Sequence, residues 1–165
     1  MECDFAHRSL AGALGRFTIE LTMTNANLVR VEGDLGIKLP EDLRQLYLDY
    51  PFPATSWARE LAMPDDPDAL IRLNRADSLL KSLKVSNPRN YLLIGTDGGE
   101  VSHYASLTGQ LTQVFAANLE SGTFVLRWPS LREWVAQLHA VDEEIKRDVA
   151  NQGRRKWWQI WRTSN

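Results

Sequence analysis

The side chains that most often act as nucleophiles, proton carriers or metal ligands are few in this sequence and far apart. Cys3 is the single cysteine, and with His7 it supplies only two of the four ligands that a structural zinc site needs. No G-x-S-x-G nucleophile elbow occurs. His103 alternates with Val101 and Ala105, which predicts a packed or sheet-surface residue of a strand. The sequence therefore predicts no catalytic residue, no metal site and no cofactor.

Two carboxylates flank a glycine pair in the segment GTDGGE, residues 95–100. Asp97 and Glu100 could act as a pair in acid–base chemistry or as acidic contacts for a binding partner. The segment has no lysine and joins two predicted strands, whereas a phosphate-binding loop opens a helix. An Asp-Gly pair favours a tight hairpin turn, because it tolerates positive φ. We therefore predict a hairpin turn here, with Asp97 and Glu100 as candidate partner-binding residues.

Trp57 lies in residues 51–68, which contain four prolines and show no sustained hydrophobic period. This pattern predicts an ordered loop that holds at most one short helical turn. An aromatic side chain in such a loop either fixes the loop to the core or anchors a partner, and Trp57 is a candidate for both roles. Trp128 and Trp134 are predicted to be core residues, because they fall on a strand and on the apolar stripe of a helix.

The tail, defined as residues 154–165, combines three tryptophans with four basic side chains. Three arrangements suit this composition: packing on the acidic body of the same chain, docking onto a protein partner or a second copy, and contact with membrane or nucleic acid. Its aromatic segment of about eight residues is short for stable membrane anchoring, so we predict no stable membrane association. The candidate partner-binding residues of the tail are Trp157, Trp158 and Trp161.

Charge is unevenly distributed along the 165 residues, although the formal net charge is only −2. Residues 1–145 hold 13 basic and 20 acidic side chains, a net charge of −7, whereas residues 146–165 hold six basic and one acidic. An acidic body argues against nucleic acid as the main partner, because Lys and Arg contacts to phosphates supply most of that affinity. No secretory pattern and no long apolar run occurs, and a lone cysteine fits a reducing compartment. We expect a soluble, cytoplasmic protein.

Hydrophobic spacing predicts the elements of the first half of the chain. Apolar and polar residues alternate in the first element, as in a half-buried strand. Two amphipathic helices follow; Gly36 is placed to end the first in a left-handed conformation, and Pro40 to begin the second. After the loop, Leu70, Ile71 and Leu73 favour a short strand. The predicted elements are a strand at 16–23, helices at 25–35 and 40–50, a strand at 70–73 and a helix at 76–83.

The second half predicts an antiparallel meander and then a long helix. Glycine-containing turns separate β-branched and aromatic runs at residues 91–95, 100–107, 110–117 and 123–128. Ser130 and Glu133 form a capping-box pattern at the start of the helix, and Asn151-Gln152-Gly153 is expected to end or kink it after Ala150. Helices and strands that segregate in this way predict an α+β fold. We expect one domain over residues 1–153, followed by the tail.

Two segments resemble signatures of the SUKH superfamily. Residues 31–53, VEGDLGIKLPEDLRQLYLDYPFP, resemble its opening signature, and residues 90–118 resemble its second, in which a strand ending in Ile-Gly leads into a glycine-rich turn. Residues 130–138 are similar to the closing helix. The matching residues are Glu32, Leu35, Gly36, Leu39, Pro40, Leu43 and Tyr47 in the first segment and Ile94, Gly95, Asp97, Gly98, Gly99, Val114 and Phe115 in the second.

The resemblance covers about residues 25–140 and implies an α+β fold without catalysis. Such folds occur in fungal cell-wall assembly regulators and in bacterial immunity proteins that neutralise toxins. It also implies that shared residues such as Gly36, Pro40 and Gly98 serve mainly in the fold. We therefore expect a bacterial cytoplasmic immunity protein that occludes a cognate protein toxin by stoichiometric binding. The alternative is a non-catalytic adaptor or regulator on the same fold, which docks through its surface or its tail.

Overall fold

The computed structural model describes residues 23–97 and 99–162, with side chains described except at 60, 61 and 152–162. Residues 16–22 of the expected N-terminal strand lie outside this range. Met23, the last residue of that expected strand, is buried in the core.

Helix α1 spans Asn25–Leu35 and begins and ends as the sequence predicts. The Thr24 hydroxyl accepts a hydrogen bond from the Asn27 amide, and the Asn27 carboxamide accepts one from the Thr24 amide, so both donors are satisfied at the helix start. Gly36 ends the helix at φ +64°, a conformation that other residues adopt only with strain. Leu28 and Val31 are buried on its inner face.

Helix α2 spans Glu41–Leu48, with Pro40 as the residue just before it. The linker from α1 is held by Glu32, whose carboxylate accepts a hydrogen bond from the Leu39 amide at 2.8 Å and pairs with Arg44 at 2.9 Å. This signature residue therefore serves in the fold.

The loop that follows contains a short π-helix, Ala58–Ala62, in agreement with the expected helical turn. The prediction of a strand at Leu70, Ile71 and Leu73 is wrong, because helix α3 spans Pro67–Ala76. The Asp66 carboxylate caps this helix by accepting hydrogen bonds from the amides of Asp68 and Ala69. Helix α4, Leu79–Ser82, lies within the predicted short helix.

Four strands form an antiparallel meander in the order β1-β2-β3-β4, as predicted. The third strand begins later than expected because Thr112 is engaged elsewhere: its amide and hydroxyl both donate to Asp42 of α2, at 2.9 and 2.6 Å. The strands are β1 Tyr91–Thr96, β2 Val101–Ser106, β3 Val114–Asn118 and β4 Thr123–Trp128.

The two faces of the sheet pack against different clusters, since side chains alternate along each strand. Leu92 and Ile94 of β1 enter the main core with α1, α2 and the π-helix. Leu93 enters a smaller cluster with Leu80 and Tyr104. The connections and layers together confirm the α+β fold class.

Helix α5 spans Leu131–Arg162, which corrects the expected end near Ala150. The Ser130 hydroxyl accepts from the Glu133 amide at its start, as the capping pattern predicts. Gly153 alone does not stop the helix, since one interior glycine costs only about 1 kcal/mol relative to alanine. None of the helices described in residues 23–162 is long and apolar enough to cross a membrane.

Candidate functional site: the α5 groove

A groove of about 690 Å³ lies between helix α5 and one face of strands β2, β3 and β4. We call it the α5 groove. One wall comes from the sheet face that carries His103, and the other comes from α5. Trp57 of the loop after α2 also lines it. The large apolar residues that line it are Trp57, Val101, Val125, Trp128, Leu138, Val141 and Ile145.

The groove differs from the main core because part of its apolar lining is exposed. Val125 of β4 is 49% exposed and Ile145 of α5 is 36% exposed. Further along α5, Val149 is 65% exposed. Exposed apolar residues that adjoin in this way mark an interaction surface more often than single ones do.

Trp57 is fixed in place by Asp142 of α5. The Asp142 carboxylate accepts hydrogen bonds from the Trp57 amide at 3.1 Å and from the Ser56 hydroxyl at 2.9 Å, and it pairs with Lys146 at 2.8 Å. The hydrogen bond from Lys146 and the bonds from the loop hold the pKa of Asp142 below its usual value, against an opposing effect of burial. Trp57 is half-buried and packs against the main core, so it both anchors the loop and lines the groove.

Asp97 has the turn role that the sequence predicts. Its carboxylate accepts hydrogen bonds from the amides of Gly99 and Val101, at 2.9 and 3.2 Å, which closes the β1–β2 turn. The same residue lines the groove together with Trp57. Glu100 is exposed on the turn and does not line the groove, and Gly98 lies outside the described residues.

His103 is a packed histidine, as predicted, and is only 4% exposed. Its Nδ1 accepts a hydrogen bond from the Trp134 indole at 3.3 Å, so the neutral ring carries its proton on Nε2. Its ring lies edge-on to Trp128, with 5.1 Å between the ring centroids. Burial lowers the pKa of His103 to about 4, with Asp97 opposing and Arg127 adding to the shift. The imidazole is therefore neutral at physiological pH and forms part of the groove floor.

The tail candidates Trp157, Trp158 and Trp161 belong to the last turns of α5. Their side chains lie outside the described part of the chain. By position along the helix they are separate from the groove: Trp157 follows Ile145 by twelve residues, about 18 Å of helix axis.

Asp142, Val125 and Ile145 are not among the candidate residues that the sequence indicates. Asp142 had no visible signal, because its partner Ser56 is 86 positions away in the sequence. The sequence does give a weak signal for Val125. The run TFVLRW places apolar residues on both faces of a strand, whereas a strand with one buried face needs them on one face only.

A second cavity, of about 510 Å³, lies between the end of α1, α3 and β1. Two of its polar side chains, Arg75 and Asn74, are engaged within the fold. Arg75 bonds Asp34 at 3.0 Å, and the Asn74 carboxamide bonds the backbone of β1. Among the residues described, no group of three or more His, Cys, Asp or Glu side chains is arranged to hold a metal ion.

Comparison with known proteins agrees with the observed architecture. No curated protein and no solved structure matches the chain. The family model described as SMI1 / KNR4 family (SUKH-1) matches residues 22–137, from the start of the described chain into helix α5. Since this match spans well over half of the sequence, the chain belongs to the SMI1/KNR4 (SUKH-1) family.

Proposed function

We propose that this protein is a bacterial cytoplasmic immunity protein that neutralises a cognate toxin by stoichiometric binding and occlusion, without catalysis of its own. Family membership supports this function, because the SUKH resemblance implies immunity proteins among its bacterial members.

The observation that carries the proposal is the separation of the family signature residues from the surface of the groove. Glu32 holds the α1–α2 linker, Gly36 ends α1, and Gly95 lies against the backbone of the π-helix. Of the signature residues that the structure describes, only Asp97 lines the groove. A fold whose signature residues serve its own structure leaves the rest of its surface free to vary, which suits a set of proteins that each bind a different toxin.

Charge supports the choice of partner. The turns β1–β2 and β3–β4 lie at one end of the meander, because successive strands alternate in direction. Residues 90–126 contain Asp97, Glu100 and Glu120 and no lysine or arginine. This acidic end of the sheet would attract a toxin whose active site is basic, as is typical of enzymes that act on nucleic acid, and would speed its capture.

The test of the function is a pull-down of the tagged protein from lysate of its native cells, followed by a growth-rescue assay with whatever co-purifies. We expect one partner whose expression stops growth and whose toxicity this protein reverses. Partners without effect on growth would contradict the immunity function.

Charge reversal at the acidic end of the sheet tests whether electrostatic attraction speeds capture of the toxin. Glu100→Lys with Glu120→Lys is expected to slow association with the toxin about tenfold at low salt and to flatten its salt dependence. Each single reversal, Glu100→Lys or Glu120→Lys, is compared with Glu41→Lys, which makes the same change of charge: Glu41 is 86% exposed and borders the β2–β3 loop at the opposite end of the sheet. If Glu41→Lys slowed association as much as either of them, the acidic end of the sheet would have no special role in capture.

The alternative function is a non-catalytic adaptor or regulator on the same fold. The observation that favours it is the continuation of α5 through the basic, aromatic tail. Deletion of residues 154–165 separates the two functions: an adaptor that docks through the tail loses its partner while its thermal unfolding is unchanged. An immunity protein that binds its toxin through the body still rescues growth.

A further inference from the structure

We propose that the cavity between the end of α1, α3 and β1 binds a small organic phosphate, meaning a phosphate ester with an apolar body. We call this cavity the basic cavity. It is separate from the α5 groove, because no residue lines both. The proposal does not rest on the immunity function, since it concerns a small ligand at a different place on the molecule.

The basic cavity has the size and the apolar surface of a small-molecule site. Its volume of about 510 Å³ falls within the range of roughly 300–1,000 Å³ that is typical of ligand pockets. Side chains from the end of α1, from α4 and from β1 supply the apolar surface, namely Leu35, Ile37, Leu80, Tyr91 and Leu92. This surface suits the apolar body of a ligand.

The charged residues that line the basic cavity are mostly basic. Among the residues described, Arg75, Lys81 and Arg89 line it, and Asp77 is the one acidic side chain. Residues 78–96 hold three basic side chains and no acidic one, whereas residues 1–145 as a whole have a net charge of −7. A positive cavity in an acidic chain attracts anionic ligands and does not follow from the overall composition.

Much of this positive charge is not neutralised within the described part of the chain. The side chains of Lys81 and Arg89 form no ion pair or hydrogen bond with another residue described. Arg75 bonds Asp34 through Nη2, which leaves its Nε and Nη1 as donors. The Asp77 carboxylate is itself engaged, since it accepts a hydrogen bond from the first amide of α4 at 2.9 Å.

Three basic side chains around one cavity suit a phosphate group better than a carboxylate. A phosphate ester carries a charge of about −1.5 to −2 at neutral pH and three acceptor oxygens. Arg and Lys donors form charge-assisted hydrogen bonds to such oxygens, and one phosphate can accept from several of them. The charge and the apolar surface together therefore indicate a phosphate ester with an apolar body.

The segment that connects α4 to β1 holds strained backbone next to the basic cavity. Lys84 and Asn87 have φ values of +55° and +51°, and within the described ranges they are the residues other than glycine with positive φ. Asn87 is followed directly by Pro88 and Arg89, which line the cavity. Such conformations are uncommon and recur at ligand sites, so they support a binding role for this wall.

The test is an NMR titration of the isotope-labelled full chain with three probes. The first, 1-naphthyl phosphate, combines a phosphate with an apolar body; inorganic phosphate and neutral 1-naphthol each offer one of the two parts. We expect 1-naphthyl phosphate to bind with a Kd below about 1 mM and to shift the amides of Gly36, Ser78 and Arg89. The other two probes are expected to bind at least about tenfold more weakly.

Removal of single charges locates the site. Lys81→Gln and Arg89→Gln are each expected to weaken binding of 1-naphthyl phosphate about threefold to tenfold. Lys84→Gln and Arg72→Gln are the matched controls, because they remove the same charges nearby and neither residue lines the cavity. Both controls are expected to change the Kd by less than about twofold. All four side chains are exposed, so the variants are expected to fold.

Three outcomes would overturn the proposal. The first is an absence of shifts at the cavity amides with 1-naphthyl phosphate at millimolar concentration. The second is an equal loss of affinity in the controls, which would reduce the effect to general attraction of anions. The third is an equal affinity for 1-naphthol, which would assign the cavity to neutral ligands.

Discussion

Among the residues that the structure describes, β1 and β4 are the two edge strands of the sheet, and they have equal lengths and opposite surroundings. Four of the six residues of β1 are buried, and its outer edge is occupied by Asn74 of α3, whose carboxamide exchanges two hydrogen bonds of 2.8 Å with the backbone of Leu93. In β4 no residue is fully buried, and Val125 and Leu126 are each about half exposed. One side chain thus takes the place of a neighbouring strand at β1, while β4 presents apolar groups on both faces. The β1 side serves stability, and the β4 side is available for binding.

The largest expected loss of stability on substitution is at Gly95 of β1. A Cβ atom there would lie 1.6 Å from the Ala62 carbonyl oxygen of the π-helix, a clash that only backbone movement can relieve. Gly95→Ala is expected to lower the free energy of unfolding by more than about 3 kcal/mol, measured by urea denaturation.

Gly33→Ala is the control for this change. Gly33 lies within α1 with open space around its Cβ position, so alanine there should stabilise the protein by about 0.5–1 kcal/mol. A mild effect at Gly95 would show that β1 is not locked against the π-helix.

The next largest effect is expected from Asn74→Leu. The change leaves the Leu93 amide and carbonyl without their side-chain partner at the edge of β1 and should cost about 2–3 kcal/mol in urea denaturation. Hydrogen exchange at the Leu93 amide should accelerate in parallel. If that amide keeps its protection, some other group closes this edge.

Asp142 provides a test on the β4 side that depends on pH. Its pKa is lowered in the folded protein, so its contribution to stability is present above the unfolded value near 3.9 and is lost as pH falls through the folded value. Asp142→Asn is expected to cost about 1–2 kcal/mol at pH 7, by weakening hydrogen bonds to a charged group. The difference from wild type should shrink between pH 5 and 2, as followed by thermal unfolding; a constant difference would contradict the linkage.

The smallest expected effect on folding belongs to β4 itself. Val125→Lys and Leu126→Lys should each change the free energy of unfolding by no more than about 0.5 kcal/mol, because both positions are half exposed. Urea denaturation at low protein concentration measures this without a contribution from association. A large loss of unfolding free energy at either position would show that β4, like β1, serves mainly in stability.

The parts of the fold that the sequence predicts are those with local causes. Thr24 and Gly36 bound α1 through their own backbone geometry, and the Asp97 turn follows from two neighbouring residues. The strand prediction at Leu70 failed because a run of four residues does not distinguish a strand from a helix, while the cap Asp66 and the first helical residue Pro67 give the better signal.

The groove could be predicted only in part. Trp57 and Asp97 were both chosen as candidates, but nothing in the sequence shows that residues forty positions apart line one surface. The hydrogen bonds that hold the Trp57 loop against α5 are long-range, since Asp142 accepts from Ser56 and from Trp57. Spacing rules describe neighbours along the chain, so contacts of this kind fall outside them.

The hydrogen bonds of Asp142 also determine when, during synthesis of the chain, the Trp57 loop can reach its final position. A chain leaves the ribosome from its N-terminus, and Ser56 is made 86 residues before the carboxylate that holds its loop. The helices of the first half can form while translation continues, but Trp57 reaches its final position only after α5 has emerged. The α5 wall of the groove is also translated after the sheet wall. A nascent chain therefore cannot present a finished groove until α5 has been translated.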